Sequence, residues 1–497
     1  MELQFKEQSF SCLDGTVKEE QNLELTQELK LTDGMPDLGR VLSAWGQTLL
    51  RSKEWRGNRI AFSGGMMVWV LYAPEDGSQV RCLESWIPFQ MQWELPENTQ
   101  EGTIRISCMP RFVDARSVSA RKIVVRCGVT ALAEAFCPME GKWYAPETVP
   151  ETVQLLQRKY PVRLPREAGE KIFSMDEELS LPPSAPQPEK LLYYRVHPAV
   201  TDQKVLGDKV LFRGNLNLHI LYVSEEGQLH SWDFELPFSQ FSELNESFTP
   251  DVQANVLVSP TNLEMEILDD GQLRMKAGLL GQYLVEDMQL LELVEDAYSP
   301  EQMLEVRQEQ LLLPAVLESR TENMYGEQKL PEDAAIVVDA QFLPHFPRQQ
   351  VSDRGIMLFP SGTFQVLYYA QDGSLQSANL RWEGRGEIPA DENVRMTAIP
   401  IPQQVEAPMS GSMAVKAEIP MLLTTKIKQG LPMIAGLNLG EVLAKNGDRP
   451  SLILRRATDG GLWELAKASG STMDAIRRIN QLQEDPMPGQ MLLIPVN

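Results

Sequence analysis

The sequence has few of the residues that build disulfide frameworks, metal sites and basic surfaces. Its 497 residues include five cysteines, four histidines, and 46 basic residues against 69 acidic ones, a formal charge of −23. The cysteines are odd in number, lie in the first third of the chain and form no CxxC pair, so we expect no disulfide framework. The histidines lie elsewhere in the chain. We therefore expect no metal site and no cofactor.

The excess of acid argues against nucleic-acid binding, which needs a basic face, and against adhesion to an anionic membrane. The longest apolar run, residues 64–73, is far shorter than the roughly 20 residues that a membrane-spanning helix needs. The N-terminal sequence MELQFKEQSF has no apolar core of signal-peptide length. We therefore expect no membrane insertion and a protein that is made and kept in a cytoplasm.

Common catalytic signatures are also missing. The sequence contains no HExxH, no GxxxxGK[ST], no GxSxG and no convincing cysteine–histidine pairing. We expect a protein that is not an enzyme. An enzyme site hidden among β domains stays open as an alternative, and a deep pocket with converging polar groups would support it.

The chain does contain a threefold internal repeat. FSGGMMVWVLYAPEDG at residues 62–77 recurs as FRGNLNLHILYVSEEG at 212–227 and as LFPSGTFQVLYYAQDG at 358–373. Each copy is a β-branched and aromatic run with alternating side chains, followed by an acidic residue and glycine that suit a tight hairpin turn. The anchors Tyr72, Tyr222 and Tyr368 recur in the same context, so we expect them in the core.

This spacing predicts a mainly β protein of three tandem antiparallel sandwich-like copies. The predicted boundaries are 1–165, 166–312 and 313–443, followed by a linker at 444–449. A short helix is predicted at the start of residues 36–50, where proline suits the first turn. Residues 288–295 are ambiguous between helix and strand, and the proline-rich stretch 181–188 is predicted to be an extended connector.

Residues 450–497 have a different pattern. A short strand at 452–455 precedes a helix at 462–469 that Gly470 ends, and Thr472 can cap a second helix. Pro488 and Gly489 then turn the chain into a last strand at 491–494. We predict a small βααβ domain.

The segment GLWELAKASGSTMDAIRRINQL, followed by PGQMLLIP, resembles a LysM domain. The upstream copies resemble the SPOCS domain of spore-coat proteins from clostridia and relatives, through their LY-containing hairpins, the opening GMPDLGRVL and the later SKEWRGNRIAFSG. The third copy departs from the pattern, because Pro360 replaces the glycine at Gly64 and Gly214. Repeated SPOCS domains followed by one LysM domain resemble the clostridial spore-coat morphogenesis proteins.

The LysM resemblance implies a binding groove between the loops 458–461 and 481–488, for protein or glycan. The groove residues are Thr458, Asp459, Gly460, Gly461, Gln483 and Met487. Arg477 and Arg478 are candidate contacts for an acidic partner, although a solvated helix face explains them more simply. Trp463 is expected in the core. LysM domains usually carry Gly-Asp-Thr before the leucine–tryptophan pair, and this chain has Asp-Gly-Gly, which removes a side-chain hydroxyl.

Together the resemblances imply a non-enzymatic scaffold of the spore coat, in the mother-cell cytoplasm at the forespore surface. Its implied partners are the coat-basement ATPase and other coat proteins. The alternative is a cell-envelope protein whose LysM domain binds peptidoglycan or another N-acetylglucosamine-containing glycan. The missing hydroxyl and the missing signal peptide favour protein binding.

Overall fold

The computed structural model describes the chain except residues 1, 4, 18, 98, 250, 270, 391–393, 403–404, 407–413, 444–450, 459 and 497. The predicted linker 444–449 and the predicted groove residue Asp459 therefore lie outside the described residues. The mainly β prediction is confirmed, since antiparallel strands make up most of the structure.

The first strands are β1 (Glu2–Leu3), β2 (Phe5–Val17), β3 (Gln21–Lys30), β4 (Leu38–Arg56), β5 (Arg59–Pro74), β6 (Arg81–Glu94), β7 (Thr103–Ser119) and β8 (Lys122–Pro146). Next come β9 (Gln154–Leu179), β10 (Pro188–Ser224), β11 (Leu229–Phe248), β12 (Gln253–Ile267), β13 (Leu273–Tyr298) and β14 (Gln302–Lys329). Then follow β15 (Ala334–Ser352), β16 (Gly355–Ala370), β17 (Leu375–Glu383), β18 (Gly386–Ile388), β19 (Arg395–Pro400), β20 (Val405–Glu406) and β21 (Ala414–Val442). The last elements are β22 (Leu452–Arg456), α1 (Gly461–Ser469), α2 (Met473–Asn480) and β23 (Met491–Pro495).

Each copy of the repeat pairs a hairpin sheet with a second sheet. The hairpin sheets are β4-β5-β6, β10-β11 and β15-β16-β17, and the second sheets centre on β8, β13 and β21. Apolar cores fill the space between the two sheets of each copy. The predicted boundaries after residues 165 and 312 fall inside β9 and β14, and the division into domains stays a prediction.

The hairpins are built as their sequence predicts. Gly77, Gly227 and Gly373 have φ of +71°, +82° and +79° at the turns, a region that favours glycine. Tyr72 and Tyr222 are almost completely buried, and each donates its hydroxyl to a proline carbonyl 36 residues upstream. These tyrosines are therefore core anchors, as predicted, that tie each hairpin to the beginning of its own sheet.

In the third copy, Pro360 replaces the glycine found at Gly64 and Gly214, but a nearby glycine makes the same close backbone contact. A Cβ at Gly64 or Gly214 would meet the carbonyl oxygen of Leu49 or Ala199, at 2.4 and 2.0 Å. In the third copy Gly362, two residues after Pro360, has this role, with the carbonyl oxygen of Leu343 at 2.5 Å. The neighbouring strands therefore approach each other closely in all three copies, but in the third copy the glycine lies two residues later along its strand.

Three local predictions can be compared with the structure. The helix predicted within residues 36–50 is wrong, because β4 begins at Leu38 and runs through this segment as a strand. The ambiguous segment 288–295 is strand, within β13. The proline-rich connector 181–188 contains a turn in which the Ala185 N–H bonds the Pro182 carbonyl.

The three copies also interlock through their longest strands. Parts of β2, β9, β13, β14 and β21 continue beyond the sandwiches and share one apolar core, which includes Phe10, Leu164, Leu293 and Leu313. Two glutamine side chains connect the first and second copies. The amide of each one bonds both backbone groups of a residue in the other copy, as a neighbouring strand does. Gln47 bonds both the N–H and the carbonyl of Val196, and Gln282 does the same with Ile106.

Candidate functional site

The C-terminal module, residues 451–496, has the βααβ order predicted from the sequence. The Thr472 hydroxyl accepts a hydrogen bond from Ala475 N at 3.1 Å and caps α2. Gly470, with φ of +63°, ends α1. Leu462, Trp463 and Ile476 are buried in the core of the module, so Trp463 is a core residue as expected. The resemblance to a LysM domain itself stays an expectation.

The structure brings the two predicted groove loops together. Ala457, just before the first loop, donates to the Gln490 carbonyl and accepts from Gly489 N, both at 2.8 Å. Among the predicted groove residues, Thr458, Gly460, Gln483 and Met487 are exposed, and Gly461 is half-buried with φ of +72°. The Met487 side chain is 78% exposed. The described part of the groove is open to a ligand.

The two predicted partner arginines have different surroundings. Arg477 bonds Asp485 at 3.0 Å and so connects α2 to the second loop. Arg478 is exposed and has no ion pair among the residues that the structure describes. Of the two, Arg478 is the side chain that is available to a partner.

One face of the β22–β23 ribbon is apolar and exposed, which sequence reasoning missed. Leu454 and Leu493 are cross-strand neighbours, 60% and 43% exposed, and Leu452 and Met491 extend the same face. Arg456 lies opposite Met491 at its end. We call these five residues the outer ribbon face. The alternation of Ile453, Leu492 and Ile494 with the exposed residues was the available signal.

The module is fixed to the second copy. The Trp463 indole N–H donates to Asp296 at 2.9 Å, and the Lys467 ammonium bonds the same carboxylate at 2.6 Å. Tyr298 donates its hydroxyl to the Ser471 carbonyl, and its ring packs edge-on against Trp463. These contacts lie at the end of β13, and we call the Asp296 bonds to Trp463 and Lys467 the Asp296 clamp. The clamp holds the module through α1 and not through the ribbon, and the outer ribbon face is exposed.

A first buried polar cluster lies between the hairpin sheets of the second and third copies. His219 lies 2.6 Å from Asp233 through Nδ1 and 2.8 Å from Asp339 through Nε2. Arg195 bonds the Tyr193 hydroxyl and the Ala340 carbonyl and lies 3.5 Å from Asp339. The cluster therefore contains two cations and two carboxylates.

The electrostatics of this cluster follow from those contacts. Burial and Arg195 alone would lower the pKa of His219, but the two carboxylates outweigh them and raise it. Burial alone would raise the pKa of Asp339, but His219 and Arg195 lower it to about 2. The two carboxylates thus favour the imidazolium form of His219.

A second cluster lies between the second sheets of all three copies. Arg105 Nε bonds Glu134 at 2.6 Å, with both side chains almost completely buried. Glu286 is also buried, and neither of its oxygens has a partner among the described residues. Burial raises the pKa of Glu286 and lowers that of Lys426, whose ammonium also lacks a hydrogen-bond partner there.

Burial lowers the reactivity of two cysteine thiols in the first copy. Burial raises the pKa of the Cys108 thiol to about 12 and that of Cys127 to about 11, so both are protonated at neutral pH. Within the described part of the chain, no three histidine, cysteine or acidic side chains are placed to hold a metal ion. No helix there is long and apolar enough to cross a membrane.

Comparison with known proteins bears on the second copy of the repeat. Residues 187–268 match the family model described as SipL, SPOCS domain. These residues run from the beginning of β10 to the end of β12 and include the second-copy hairpin with Tyr222. None of the curated proteins matches the chain. The SPOCS-domain resemblance is therefore supported over these residues, and it indicates a sporulation-related protein.

Proposed function

We propose that this protein is a non-enzymatic scaffold of the developing spore coat. Its C-terminal module docks on the coat-basement ATPase at the forespore surface, on the mother-cell side. The β copies recruit further coat proteins. The SPOCS match supports the sporulation setting, and the outer ribbon face is the observation that carries the docking step.

The outer ribbon face is an exposed apolar patch with one cation at its end, a kind of surface that marks protein interaction sites. Its four apolar side chains lie side by side on a regular strand pair, with Arg456 at one end. Burying such side chains contributes about 1.5–3 kcal/mol each when they are covered completely. The Asp296 clamp fixes the module to the body, so docking orients the whole acidic body at the surface. Linking this site to further sites on the copies raises their effective concentration.

The test uses the full-length protein with a fluorescent tag in sporulating cells. The double variant Leu454→Asp/Leu493→Asp places two charges in the outer ribbon face. We expect it to lose forespore localisation and co-purification with the coat-basement ATPase. The matched control is Val118→Asp/Ile172→Asp, whose positions are 60% and 70% exposed on the body, and it should behave like the parent protein.

A glycan-binding function predicts a different result. The predicted groove shares no residue with the outer ribbon face, so Met487→Asp tests the groove by a substitution outside that face. The module would be a glycan-binding domain if the parent protein and the Leu454→Asp/Leu493→Asp variant pelleted with purified peptidoglycan and Met487→Asp did not. Unchanged localisation of the Leu454→Asp/Leu493→Asp variant would overturn docking through the outer ribbon face.

A further inference from the structure

The β22–β23 ribbon is an antiparallel ladder with a continuous register. Ala457 N donates to the Gln490 carbonyl at one end, and Val496 N donates to the Ser451 carbonyl at the other. Along such a pair, every second residue directs its N–H and C=O to the neighbouring strand, and the residues between direct theirs outward. Counted from these two ends, the outward-directed residues of β22 are Leu452, Leu454 and Arg456.

A side chain closes the outer edge of β23. The Asn480 amide accepts from Leu493 N at 2.8 Å and donates to the Leu493 carbonyl at 2.6 Å, which satisfies both outward groups at the middle of this strand. The outer edge of β22 is different, because no described residue bonds the outward backbone groups of Leu452, Leu454 or Arg456. The ribbon therefore has one closed edge and one open edge, and the open edge can pair with another strand.

The open edge is also basic, in a chain whose formal charge is −23. Arg455 and Arg456 are both exposed, and neither forms an ion pair with a residue that the structure describes. Because side chains alternate along a strand, Arg456 lies on the outer ribbon face and Arg455 on the opposite face. A second copy of this chain would bring two more arginines to the same edge. A strand with acidic residues complements the edge instead.

We propose that the docking partner adds a strand to the open edge of β22 in antiparallel orientation, the more stable of the two pairings. This strand addition rests on the docking function proposed above and specifies the segment that the module recognises. The partner's first paired residue lies opposite Arg456 and is acidic, and its second lies beside Arg455 and is also acidic. Its third and fifth residues lie opposite Leu454 and Leu452 and are apolar.

Strand addition explains why the open edge and the outer ribbon face occur together. Main-chain hydrogen bonds to a sheet edge supply affinity, and alternate side chains supply specificity. The outward-directed residues of β22 are the ones whose side chains lie on the outer ribbon face. The partner's two apolar side chains therefore lie on that face too, next to Leu452 and Leu454, which are 46% and 60% exposed in this structure.

Leu454→Pro tests the edge separately from the apolar face. Proline removes the outward N–H at the middle of the edge and keeps the side chain apolar. The ladder to β23 stays intact, because the Leu454 N–H takes no part in it. Leu454→Val is the matched control, since it is apolar and keeps the N–H. Binding of full-length protein to purified coat-basement ATPase, measured by biolayer interferometry, should weaken at least tenfold in Leu454→Pro and stay within threefold in Leu454→Val.

Failure of strand addition and failure of docking give different results. Equal ATPase binding by Leu454→Pro and the parent would overturn strand addition. Docking through the outer ribbon face would still stand if Leu454→Asp/Leu493→Asp lost binding, and would fail if that variant also bound like the parent. If faster hydrogen exchange across α1 showed that Leu454→Pro is misfolded, Leu452→Pro takes its place, because proline is tolerated at the first residue of a strand.

Hydrogen exchange tests the pairing in the parent protein itself. The amide of Leu454, resolved by mass spectrometry with electron-transfer fragmentation, should exchange at least tenfold more slowly when the full-length protein is saturated with the ATPase. The amide of Leu493, which Asn480 already bonds, serves as the internal control and should change by less than threefold. Unchanged exchange at Leu454 in the complex would overturn strand addition.

The acidic character of the partner strand has its own variants. Arg455→Glu/Arg456→Glu should weaken ATPase binding at least tenfold, and Arg455→Lys/Arg456→Lys should keep it within threefold. The matched control is Arg354→Glu/Arg385→Glu, at two exposed positions of the third copy, and it should bind like the parent. An equal loss in the two glutamate variants would assign the effect to net charge and overturn the acidic segment.

Light scattering identifies the other possible occupant, a second copy of this chain. We expect the full-length parent protein and Leu454→Pro to have the same mass in solution. A parent dimer that Leu454→Pro converts to a monomer would assign the open edge to self-association and overturn the addition of a partner strand.

Discussion

Trp463 in the C-terminal module donates its indole N–H to Asp296 at the end of β13, 167 residues earlier in the chain. The same carboxylate bonds Lys467, and only 16% of the Asp296 side chain is exposed. One acidic side chain of the second copy thus holds two residues of α1.

Asp296→Ala should loosen the module without unfolding the body. The change leaves the buried indole N–H without an acceptor, which costs about 1–3 kcal/mol. We expect faster hydrogen exchange across α1, measured by mass spectrometry. The control Asp485→Ala removes the exposed ion pair with Arg477. It should change the free energy of opening of α1, as reported by exchange, by less than about 1 kcal/mol. Equal exchange in Asp296→Ala and the parent would show that Tyr298 and the apolar contacts hold the module alone.

Gln282→Ala should weaken the junction between the first and second copies. Gln282 is 1% exposed and satisfies both backbone groups of Ile106, and its oxygen also accepts from Lys53. Each buried group left without a partner costs about 1–3 kcal/mol, so the free energy of unfolding should fall by several kcal/mol in urea titrations. Gln371→Ala removes one exposed bond and should stay within about 0.5 kcal/mol. If Gln282→Ala lowered the free energy of unfolding as little as Gln371→Ala, water would be replacing the hydrogen bonds of the Gln282 amide.

His219 should make stability depend on pH above its unfolded pKa of about 6.5. Its pKa is raised in the folded protein, so its contribution is complete below the unfolded value of about 6.5 and is lost as pH rises through the folded pKa. The parent protein should therefore lose more stability between pH 6 and pH 9 than His219→Gln. Urea unfolding at several pH values measures this difference. Parallel pH profiles of the two proteins would contradict the imidazolium assignment.

The two buried glutamates should respond oppositely to neutralisation. Glu134→Gln leaves the Arg105 charge buried without its partner and should destabilise the protein by about 3–5 kcal/mol. Glu286 has a raised pKa, so its stability contribution is lost as pH rises from about 4.3 through the folded value. Glu286→Gln removes that loss and should be neutral or stabilising at pH 8. Thermal unfolding at pH 5 and pH 8 distinguishes the two, and a strong loss in Glu286→Gln would indicate a partner for this carboxylate.

The hairpins were predictable because their information is local. Alternation, the acidic residue with glycine and the recurring tyrosine all lie within one strand–turn–strand unit. The helix predicted after Pro36 failed because the burial of Trp45 and Leu49 is set by contacts with distant strands. Proline at the beginning of an apolar run suits a strand as well as a helix.

The buried clusters were not predictable from one sequence. His219 alternates with Leu218 and Ile220 and reads as part of a polar, solvated strand face, yet the third copy covers it with Asp339. Glu134, Glu286 and Lys426 lie 62, 64 and 58 residues after their tyrosine anchors, because loop lengths differ between the copies. No constant spacing reveals that they meet. The outer ribbon face was readable from alternation, but its exposure depends on how the two helices pack.

The Asp296 clamp also determines how mechanical load passes through the molecule. The chain enters the module from the third copy, whereas the clamp attaches the module to the second. A pull applied at the outer ribbon face therefore divides between a covalent route into β21 and a non-covalent route into β13. As long as the clamp holds, tension at an anchored module is shared by two copies, and the strands of neither copy bear it alone.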